Sequence, residues 1–259
     1  MSCYLINIAS GKYDISKLNK IMKLSLLVPV YNEEQTIDTI LEKLIKVKLP
    51  CTKEIIIVDD ASTDRTSNKI HKRLKLRNFQ KIVKYFKHRQ NKGKGGAIQT
   101  GVKYATGQYI LIQDADLEYD PGDICKLLPP IFIAGKKKNK IAVYGSRFMK
   151  KNIMISPLYL FGNKLLTFVT NLFCGVKISD METGYKLLPA TFLKAINIQS
   201  RHFDIEPEIT VKLIKMGIPI VEVPISYRGR THLAGKKLTV LDAYEAIKAL
   251  FYFRFIDNN

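Results

Sequence analysis

Apolar segments of four to seven residues alternate along the chain with longer segments in which apolar residues recur every three or four positions. The first pattern is typical of buried strands and the second of helices with one buried face. Strands are predicted over residues 24–30, 54–58, 81–86, 109–113, 141–144 and 220–223. Helices are predicted over residues 31–45, 93–105, 123–133, 158–173, 205–216 and 239–255, with one more after the capping residues 62–64.

This alternation predicts an α/β fold in which helices flank a mostly parallel, Rossmann-like central sheet. In such folds ligands bind at the carboxyl ends of the strands. We divide the chain into an irregular leader, residues 1–22, a single α/β domain, residues 23–237, and a C-terminal amphipathic helix, residues 238–259.

Acidic residues follow three of the predicted strands. They are Glu33, Glu34, Asp59, Asp60, Asp114 and Asp116. If the chain stays extended after the fourth strand, Asp114 and Asp116 point to the same side, where their oxygens can hold a hard divalent cation. Because Asp-rich turns are also common without any ligand, this segment alone allows a solvated turn as well.

Basic residues are expected near the same edge of the sheet. They are Lys92, Lys94, Arg147, Arg228, Arg230, Lys236 and Lys237. Acids that hold a cation and bases that hold anions together suit a metal-bound diphosphate. The glycine-rich segment 93–96 matches neither a Walker A motif nor a dinucleotide-binding fingerprint, so it allows either a phosphate cradle or a tight helix start.

Composition restricts the class of protein. The chain has 259 residues, of which 46% are hydrophobic, and a mean hydropathy of −0.04, as expected for a globular protein with a substantial core. No apolar segment reaches the roughly 18 residues of a membrane-spanning helix, and the N-terminus lacks the basic start of a secretory signal. The four cysteines are scattered along the chain, which predicts reduced thiols and a cytoplasmic location.

Net charge adds one further constraint. The chain carries 42 Lys and Arg against 23 Asp and Glu, a net charge of +19, and no acidic residue occurs between Asp64 and Asp114. A solvated lysine-rich surface, an anionic membrane and nucleic acid would each account for this excess. Because the sequence contains no recognisable nucleic-acid-binding module, we expect no nucleic-acid partner.

Seven ordered motifs carry a resemblance to a known family. They are VPVYNEEQTI, IIIVDDASTDRT, NKGKGGAIQTG, QDADLEYDP, GSR, DMETGYKLLP and the series FDIEPEI, GIPIVEVPISYRGR and GKK. In this order they resemble family-2 glycosyltransferases of GT-A fold, within the dolichyl-phosphate mannose synthase and polyprenyl-phosphate glucosyltransferase branch. The resemblance spans residues 23–255. It implies inverting transfer of a hexose from a UDP- or GDP-sugar to polyprenyl phosphate, with Mg²⁺ or Mn²⁺ as cofactor.

The resemblance also implies roles for residues at the donor site. Asp60 would contact the base, and Asp114 would lie near the ribose and the metal. Asp116 would be the principal metal ligand and take part in catalysis, with Asp114 as the second ligand. The remaining residues expected to bind the nucleotide sugar are Pro29, Tyr31, Glu33 and Lys94.

A second set resembles residues that hold the donor diphosphate or the lipid phosphate. These are Arg147, Arg228, Arg230, Lys236 and Lys237, with Arg147 also expected in catalysis. A polyprenyl phosphate oxygen is already an anion and needs no strong base, whereas a hydroxyl acceptor needs one. For that case Asp180 is the first candidate base and Glu182 the second, and helix capping or acceptor positioning is the alternative role of Asp180.

Location and alternative functions complete the hypothesis. Aromatic residues within 159–173 and 244–255, with Lys and Arg beside them, suit a peripheral position on the cytosolic face of a membrane, although part of them must be core. A membrane partner protein is compatible with the resemblance. The other functions left open are a soluble transferase to a glycan or protein hydroxyl and a non-catalytic basic protein that binds nucleotide or nucleic acid. Of the histidines, only His232 is expected near the site.

Overall fold

A seven-stranded sheet forms the centre of the computed structural model, which describes residues 5–8, 11–14, 22–135, 140–152, 157–202, 204–230 and 240–257. The strands are β1 (Leu5–Ile8), β2 (Gly11–Asp14), β3 (Lys23–Val30), β4 (Thr52–Asp59), β5 (Val83–Lys87), β6 (Tyr109–Ile112), β7 (Ala142–Ser146), β8 (Lys186–Pro189) and β9 (Ile220–Pro224). The helices are α1 (Ile37–Lys46), α2 (Thr66–Leu74), α3 (Arg77–Gln80), α4 (Gly93–Tyr104), α5 (Ile124–Gly135), α6 (Pro157–Cys174), α7 (Ala190–Ala195), α8 (Ile205–Lys215) and α9 (Val240–Phe251).

The strand order in the large sheet is β5-β4-β3-β6-β8-β7-β9. Parallel pairs join β3 to β4 and β6, β4 to β5, and β7 to β9. Only β8 runs antiparallel to its two neighbours, β6 and β7. The segment that leads into β8 therefore lies at the same edge of the sheet as the carboxyl ends of β6 and β7. The predicted α/β fold with a mostly parallel sheet is confirmed.

Both faces of the sheet are covered by helices. Leu24, Leu26 and Val28 of β3 belong to a buried cluster with residues of α1 and α5. Leu27, which points to the opposite face, packs in a second cluster with residues of α4 and α8. Because strands of this kind are buried on both faces, they read in the sequence as continuous apolar segments, which is why most of them were predictable.

The first helix begins later than predicted. The sequence predicts a helix from residue 31, whereas α1 begins at Ile37. Residues 32–34 instead donate backbone hydrogen bonds to side chains of the β4–α2 connection, and Asn32 has a left-handed φ of 50°. The acceptors are Ser62, Thr66 and Asp64. These contacts hold the segment after β3 in a non-helical conformation at the edge where ligands are expected.

Three further features differ from the sequence prediction. Strand β8 was not predicted, because a run of four residues that begins with a lysine shows no clear period. The leader was expected to be irregular, but β1 and β2 form an antiparallel pair within it. Cys51 and Cys174 are free thiols as predicted, whereas Cys125 takes part in a disulfide. The prediction of reduced thiols was wrong for Cys125 because cysteines that are far apart in the sequence can be close together in the fold.

Candidate active site

A cleft of about 360 Å³ lies at the edge of the sheet formed by the carboxyl ends of the parallel strands. Its walls come from the segments after β3, β4, β6, β7 and β9, from the segment before β8, and from α4, α6 and α8. Ten of the residues proposed from the sequence line this cleft. They are Pro29, Tyr31, Glu33, Asp60, Lys94, Asp114, Asp116, Arg147, Glu182 and Arg230.

At one end of the cleft, Asp60 follows β4 and is buried. Its Oδ1 lies 2.6 Å from Nδ1 of His88 and accepts a hydrogen bond of 2.8 Å from the backbone amide of Lys92. The other ring nitrogen of His88 lies 2.8 Å from the hydroxyl of Thr100 on α4. His88 was missed by the sequence analysis, which singled out His232 instead. His232 lies outside the described residues.

In the middle of the cleft, Lys94 and Asp114 form an ion pair. The Lys94 Nζ lies 3.0 Å from Oδ1 of Asp114 and 3.3 Å from Oε1 of Glu206, at the start of α8. The buried Lys186 ammonium in turn contacts the other oxygen of Glu206. Although burial alone would lower it, the carboxylates of Asp114 and Glu206 raise the pKa of Lys94. Lys94 is therefore a permanent cation at neutral pH, held against the acidic segment.

Asp116 lies in a group of acidic residues that surrounds Arg230. Its Oδ2 lies 3.1 Å from Nη2 of Arg230, and Arg230 also contacts Glu33 at 3.4 Å and Glu118 at 3.9 Å. Burial, followed by the charges of Asp114 and Glu118, raises the pKa of Asp116 to about 7. Glu118, which was not among the site residues predicted from the sequence, also lines the cleft.

The donor set fits a hard divalent cation. Asp114 and Asp116 bring carboxylate oxygens into the same cleft, where burial and, after it, the crowding of negative charge raise the pKa of Asp116. A divalent cation would relieve that crowding, and oxygen ligands are those that Mg²⁺ and Mn²⁺ prefer. Within the described ranges, no group of three or more Asp, Glu, His or Cys is arranged to hold a metal without other ligands. Two protein carboxylates completed by ligand oxygens remain the arrangement that fits.

Arg147 and Asp180 form a buried, two-pronged ion pair. Nε and Nη2 of Arg147 donate hydrogen bonds of 2.8 and 2.7 Å to the two oxygens of Asp180, and the Arg147 amide adds a third of 2.9 Å. Arg147 faces the cleft, but Asp180 is fully buried behind it and does not line the cleft. This geometry argues against Asp180 as a general base. Asp180 instead holds the Arg147 guanidinium in place, a role that differs from the helix capping or acceptor positioning offered by the sequence.

Glu182, the second candidate base, does line the cleft. Its Oε1 is inaccessible to solvent and has no hydrogen-bond partner. Burial, with Glu206 as the next contribution, raises the pKa of Glu182 to about 7.

The structure does not bring every predicted residue to the cleft. Arg228 is exposed and does not line it. Its backbone amide donates a 3.0 Å hydrogen bond to the carbonyl of Glu118, and its side chain makes no hydrogen bond or ion pair with the other described residues. Lys236 and Lys237 lie outside the described residues.

The glycines of segment 93–96 serve packing rather than a phosphate cradle. The Gly95 amide donates a 3.0 Å hydrogen bond to the carbonyl of Arg201, and a Cβ at Gly93 or Gly95 would collide with the carbonyls of Arg201 or Ser200. Gly93 also has a left-handed φ of 78°. Between a phosphate cradle and a tight helix start, the two interpretations left open by the sequence, these contacts favour the helix start.

Comparison with known proteins identifies the family to which this chain belongs. The family model described as Glycosyl transferase family 2 matches residues 25–195. The UDP-N-acetylglucosamine–dolichyl-phosphate N-acetylglucosaminyltransferase of Methanococcus voltae is 34% identical, covering 77% of this chain and 83% of that protein. The dolichyl-phosphate beta-glucosyltransferase of Saccharomyces cerevisiae is 32% identical, covering 89% of this chain and 74% of that protein.

The fold agrees with a solved structure at lower sequence similarity. Glucosyl-3-phosphoglycerate synthase from Mycobacterium tuberculosis, in complex with uridine diphosphate, matches with a TM-score of 0.69 at 16% identity, over 92% of this chain and 82% of that one. The predicted GT-A fold is thereby confirmed. Since the family model spans well over half of the chain and relatives above 30% identity are named as sugar transferases, the protein belongs to glycosyl transferase family 2 and is a glycosyltransferase.

Proposed function

We propose that this glycosyltransferase moves a hexose from a nucleoside diphosphate sugar to a polyprenyl phosphate, with inversion at the anomeric carbon, at the cytosolic face of a membrane. The observation that carries the proposal is a single cleft with acids in its middle and the Arg147 guanidinium at the far end. Relatives named as dolichyl-phosphate glycosyltransferases support the same acceptor class.

The donor would lie along the carboxyl edge of the sheet. Asp60, Tyr31 and Pro29 line the end formed by β4 and β3, where a base and ribose would bind. Lys94 and Arg230, on either side of the acidic segment, supply positive charge for the diphosphate. The similar fold of a synthase solved with uridine diphosphate supports a nucleotide in such a cleft.

Asp114 and Asp116 would hold Mg²⁺ or Mn²⁺. Such an ion, when bound, offsets the negative charge that builds on the leaving diphosphate. The protein itself holds the two carboxylates and the positively charged side chains of Lys94 and Arg230 in place before the donor binds, so that little reorganisation is needed during the reaction.

Arg147 would bind the phosphate of the acceptor. Asp180 occupies Nε and Nη2 of the guanidinium, and within the described residues no hydrogen bond involves Nη1. A phosphate oxygen held there attacks the anomeric carbon from the side opposite the diphosphate. A new carbon–oxygen bond forms while the bond to the diphosphate breaks and its electron pair leaves with the diphosphate. Because the attacking oxygen is already anionic, no general base is required.

An exposed apolar face on α6 supports a lipid acceptor. Phe161, Leu165, Phe168 and Leu172 recur at helical spacing, and each has between 43% and 67% of its surface exposed. Asn163, on the opposite side of the same helix, lines the cleft, so α6 has one side at the site and an apolar side that is exposed. No helix among the described residues has the length and apolar character to cross a bilayer. An amphipathic helix on a headgroup surface suits these observations.

The proposal is tested by transfer of radiolabelled sugar into organic-extractable lipid. Vesicles that contain polyprenyl phosphate are incubated with labelled UDP-glucose, UDP-N-acetylglucosamine or GDP-mannose, with Mn²⁺ or with a chelator. We expect label in the lipid with at least one donor, lost in chelator and lost when Phe161 and Phe168 are both replaced by serine. Transfer only to a water-soluble hydroxyl acceptor would contradict the proposal.

A further inference from the structure

We propose that the Glu182 carboxyl is a binding group for a hydroxyl of the donor sugar and thereby helps to select the sugar. This inference rests on the proposed function and deepens it, since nothing so far accounts for how the sugar itself is recognised. It follows from three observations: the rigidity of the segment around Glu182, the lack of any partner for its side chain, and its position along the sheet.

The segment before β8 is fixed from several sides. Glu222 of β9 accepts hydrogen bonds from the backbone amides of Ser179 and Asp180 at 2.7 and 3.0 Å. The Met181 amide donates to Thr167 of α6 at 3.1 Å. Further contacts are Thr183 Oγ1 to the Gly145 carbonyl at 2.7 Å, the Gly184 amide to the Tyr119 hydroxyl at 2.9 Å, and the buried Lys186 ammonium to the carbonyls of Met181 and Thr183.

Within this fixed segment, the Glu182 side chain makes no hydrogen bond or ion pair among the described residues, although its Oε1 is shielded from solvent. Asp180, two residues earlier, has both oxygens occupied by Arg147. A buried carboxyl oxygen without a hydrogen-bond partner destabilises the folded protein. A cost of this kind is expected where a ligand, rather than the protein, supplies the missing partner.

The position of Glu182 along the sheet indicates which ligand group it meets. The strand order β4-β3-β6-β8-β7 puts Asp60 at one end, Asp114 in the middle and Arg147 at the other end. Glu182 precedes β8, between Asp114 and Arg147 in this order. The segment approaches the acidic pair closely, because a Cβ on Gly184 would lie 2.7 Å from Oδ2 of Asp114. A donor with its base at Asp60 and its diphosphate at Asp114 therefore brings its sugar to Glu182.

The chemistry of the carboxyl suits a sugar hydroxyl. A carboxylate accepts hydrogen bonds from hydroxyl groups, and in its protonated form it also donates one. Burial and the neighbouring Glu206 raise the pKa of Glu182 to about 7, so both forms occur near neutral pH. A phosphate oxygen can pair only with the protonated carboxyl, whereas a sugar hydroxyl can pair with both forms, so the hydroxyl is the better match. A hydroxyl of an acceptor has the same chemistry, so the test separates donor from acceptor by omitting the acceptor.

The test compares Glu182→Ala and Glu182→Gln with the wild-type chain by calorimetry in Mn²⁺. The probes are UDP, UDP-glucose, UDP-N-acetylglucosamine, GDP and GDP-mannose. For the preferred donor we expect Glu182→Ala to weaken binding of the sugar nucleotide about 10-fold or more, the effect of one hydrogen bond to a charged group. Binding of the free nucleoside diphosphate should change less than about twofold, and Glu182→Gln should retain most of the affinity because its amide can also bond a hydroxyl.

Two controls separate recognition from structure. Glu42→Ala, at a half-buried position on α1 outside the cleft, should leave both affinities unchanged. Since Glu182 has no hydrogen-bond partner to lose among the described residues, Glu182→Ala should unfold at the same or a higher temperature than the wild type without ligand, whereas loss of a structural contact would lower it. A deoxy donor that lacks the contacted hydroxyl should bind wild type and Glu182→Ala equally.

The proposal is overturned if Glu182→Ala binds sugar nucleotides like the wild type while wild-type transfer occurs, or if it weakens the free and the sugar-linked nucleotide equally. A fall in kcat with unchanged affinity in both variants would instead indicate a general base and would also overturn it. If the wild type binds no sugar nucleotide at all, the proposed function fails first, and the Glu182 assignment fails with it.

Discussion

Buried carboxyl groups at the two edges of the central sheet have pKa values shifted in opposite directions. At the amino edge, Glu54 near the start of β4 accepts hydrogen bonds from Ser25 and Thr106 and lies 3.0 Å from the ammonium groups of both Lys23 and Lys84. Despite its burial, these partners lower the pKa of Glu54 to about 2. At the carboxyl edge, burial and neighbouring acids raise the pKa of Asp116 and Glu182 to about 7.

The difference separates residues that hold the fold from residues that await a ligand. A carboxylate whose partners are all protein groups stabilises the native state, and removing it leaves those groups unpaired. A carboxylate surrounded by other acids destabilises the ligand-free protein, and under the proposed function a bound cation or sugar would restore the balance. The same residue type is therefore structural at one edge and, in this proposal, binds ligand at the other.

The largest expected effect comes from Asp116. Asp116→Asn removes a carboxylate from the acidic segment, so transfer of sugar should fall by about 100-fold or more, while the ligand-free protein should unfold at the same or a higher temperature. The matched control is Asp120→Asn, whose side chain is 56% exposed and outside the cleft. Transfer assays and thermal unfolding check this prediction, and an active Asp116→Asn protein would contradict the role given to the carboxyl edge.

A substitution at Asp180 tests whether an ion-paired acid at the carboxyl edge stabilises the fold as Glu54 does at the amino edge. Asp180→Asn leaves the buried Arg147 guanidinium without its counterion, so the free energy of unfolding should fall by about 3 kcal/mol, and binding of the acceptor phosphate should weaken. Urea unfolding measures the first effect and the KM for polyprenyl phosphate the second. Unchanged stability with a specific loss of kcat would instead support a general base.

Glu54 provides the reference at the amino edge. Glu54→Gln should lower the free energy of unfolding by about 2 kcal/mol, because Lys23 and Lys84 lose their counterion but stay partly solvated. Kinetic constants should match the wild type, since Glu54 lies at the edge opposite the cleft. A changed KM for the donor would show that the two edges are coupled.

The dependence of stability on pH should have opposite signs at the two edges. The folded-state pKa of Glu54, about 2, lies below the ordinary value of 4.5, so its stabilising effect is present above pH 4.5 and is lost as the pH falls toward 2. The folded-state pKa of Glu182, about 7, lies above 4.5, so its contribution is present below pH 4.5 and is lost as the pH rises through 7.

Urea unfolding of the wild type, Glu54→Gln and Glu182→Gln between pH 3 and 8 isolates each contribution as a difference between proteins. From pH 3 upward, the wild type should gain stability relative to Glu54→Gln until about pH 4.5. Relative to Glu182→Gln it should lose stability between pH 4.5 and 7. Two differences of the same sign would refute the distinction between the edges.

Most of the fold could be predicted because each buried strand reads as an apolar segment and each helix as a periodic one. The start of α1 could not, because Ser62, Asp64 and Thr66, some thirty residues away, hold segment 32–34 out of the helix. Strand β8 could not either, because four residues are too few to show a period. Residue types at strand ends predicted the cleft, but not the contacts that distinguish Asp180 from Glu182.

By itself, the sequence determined the α/β class, the order of the motifs, the family and most of the residues that line the cleft, because local patterns and strand ends are written in consecutive residues. Only the tertiary structure decided how those residues are paired. It brought His88 to Asp60, buried Asp180 behind Arg147 and, among the described residues, left Oε1 of Glu182 without a hydrogen-bond partner. The physical reason is that a carboxyl group becomes structural or functional through its burial and its partners, and both come from parts of the chain far away in sequence.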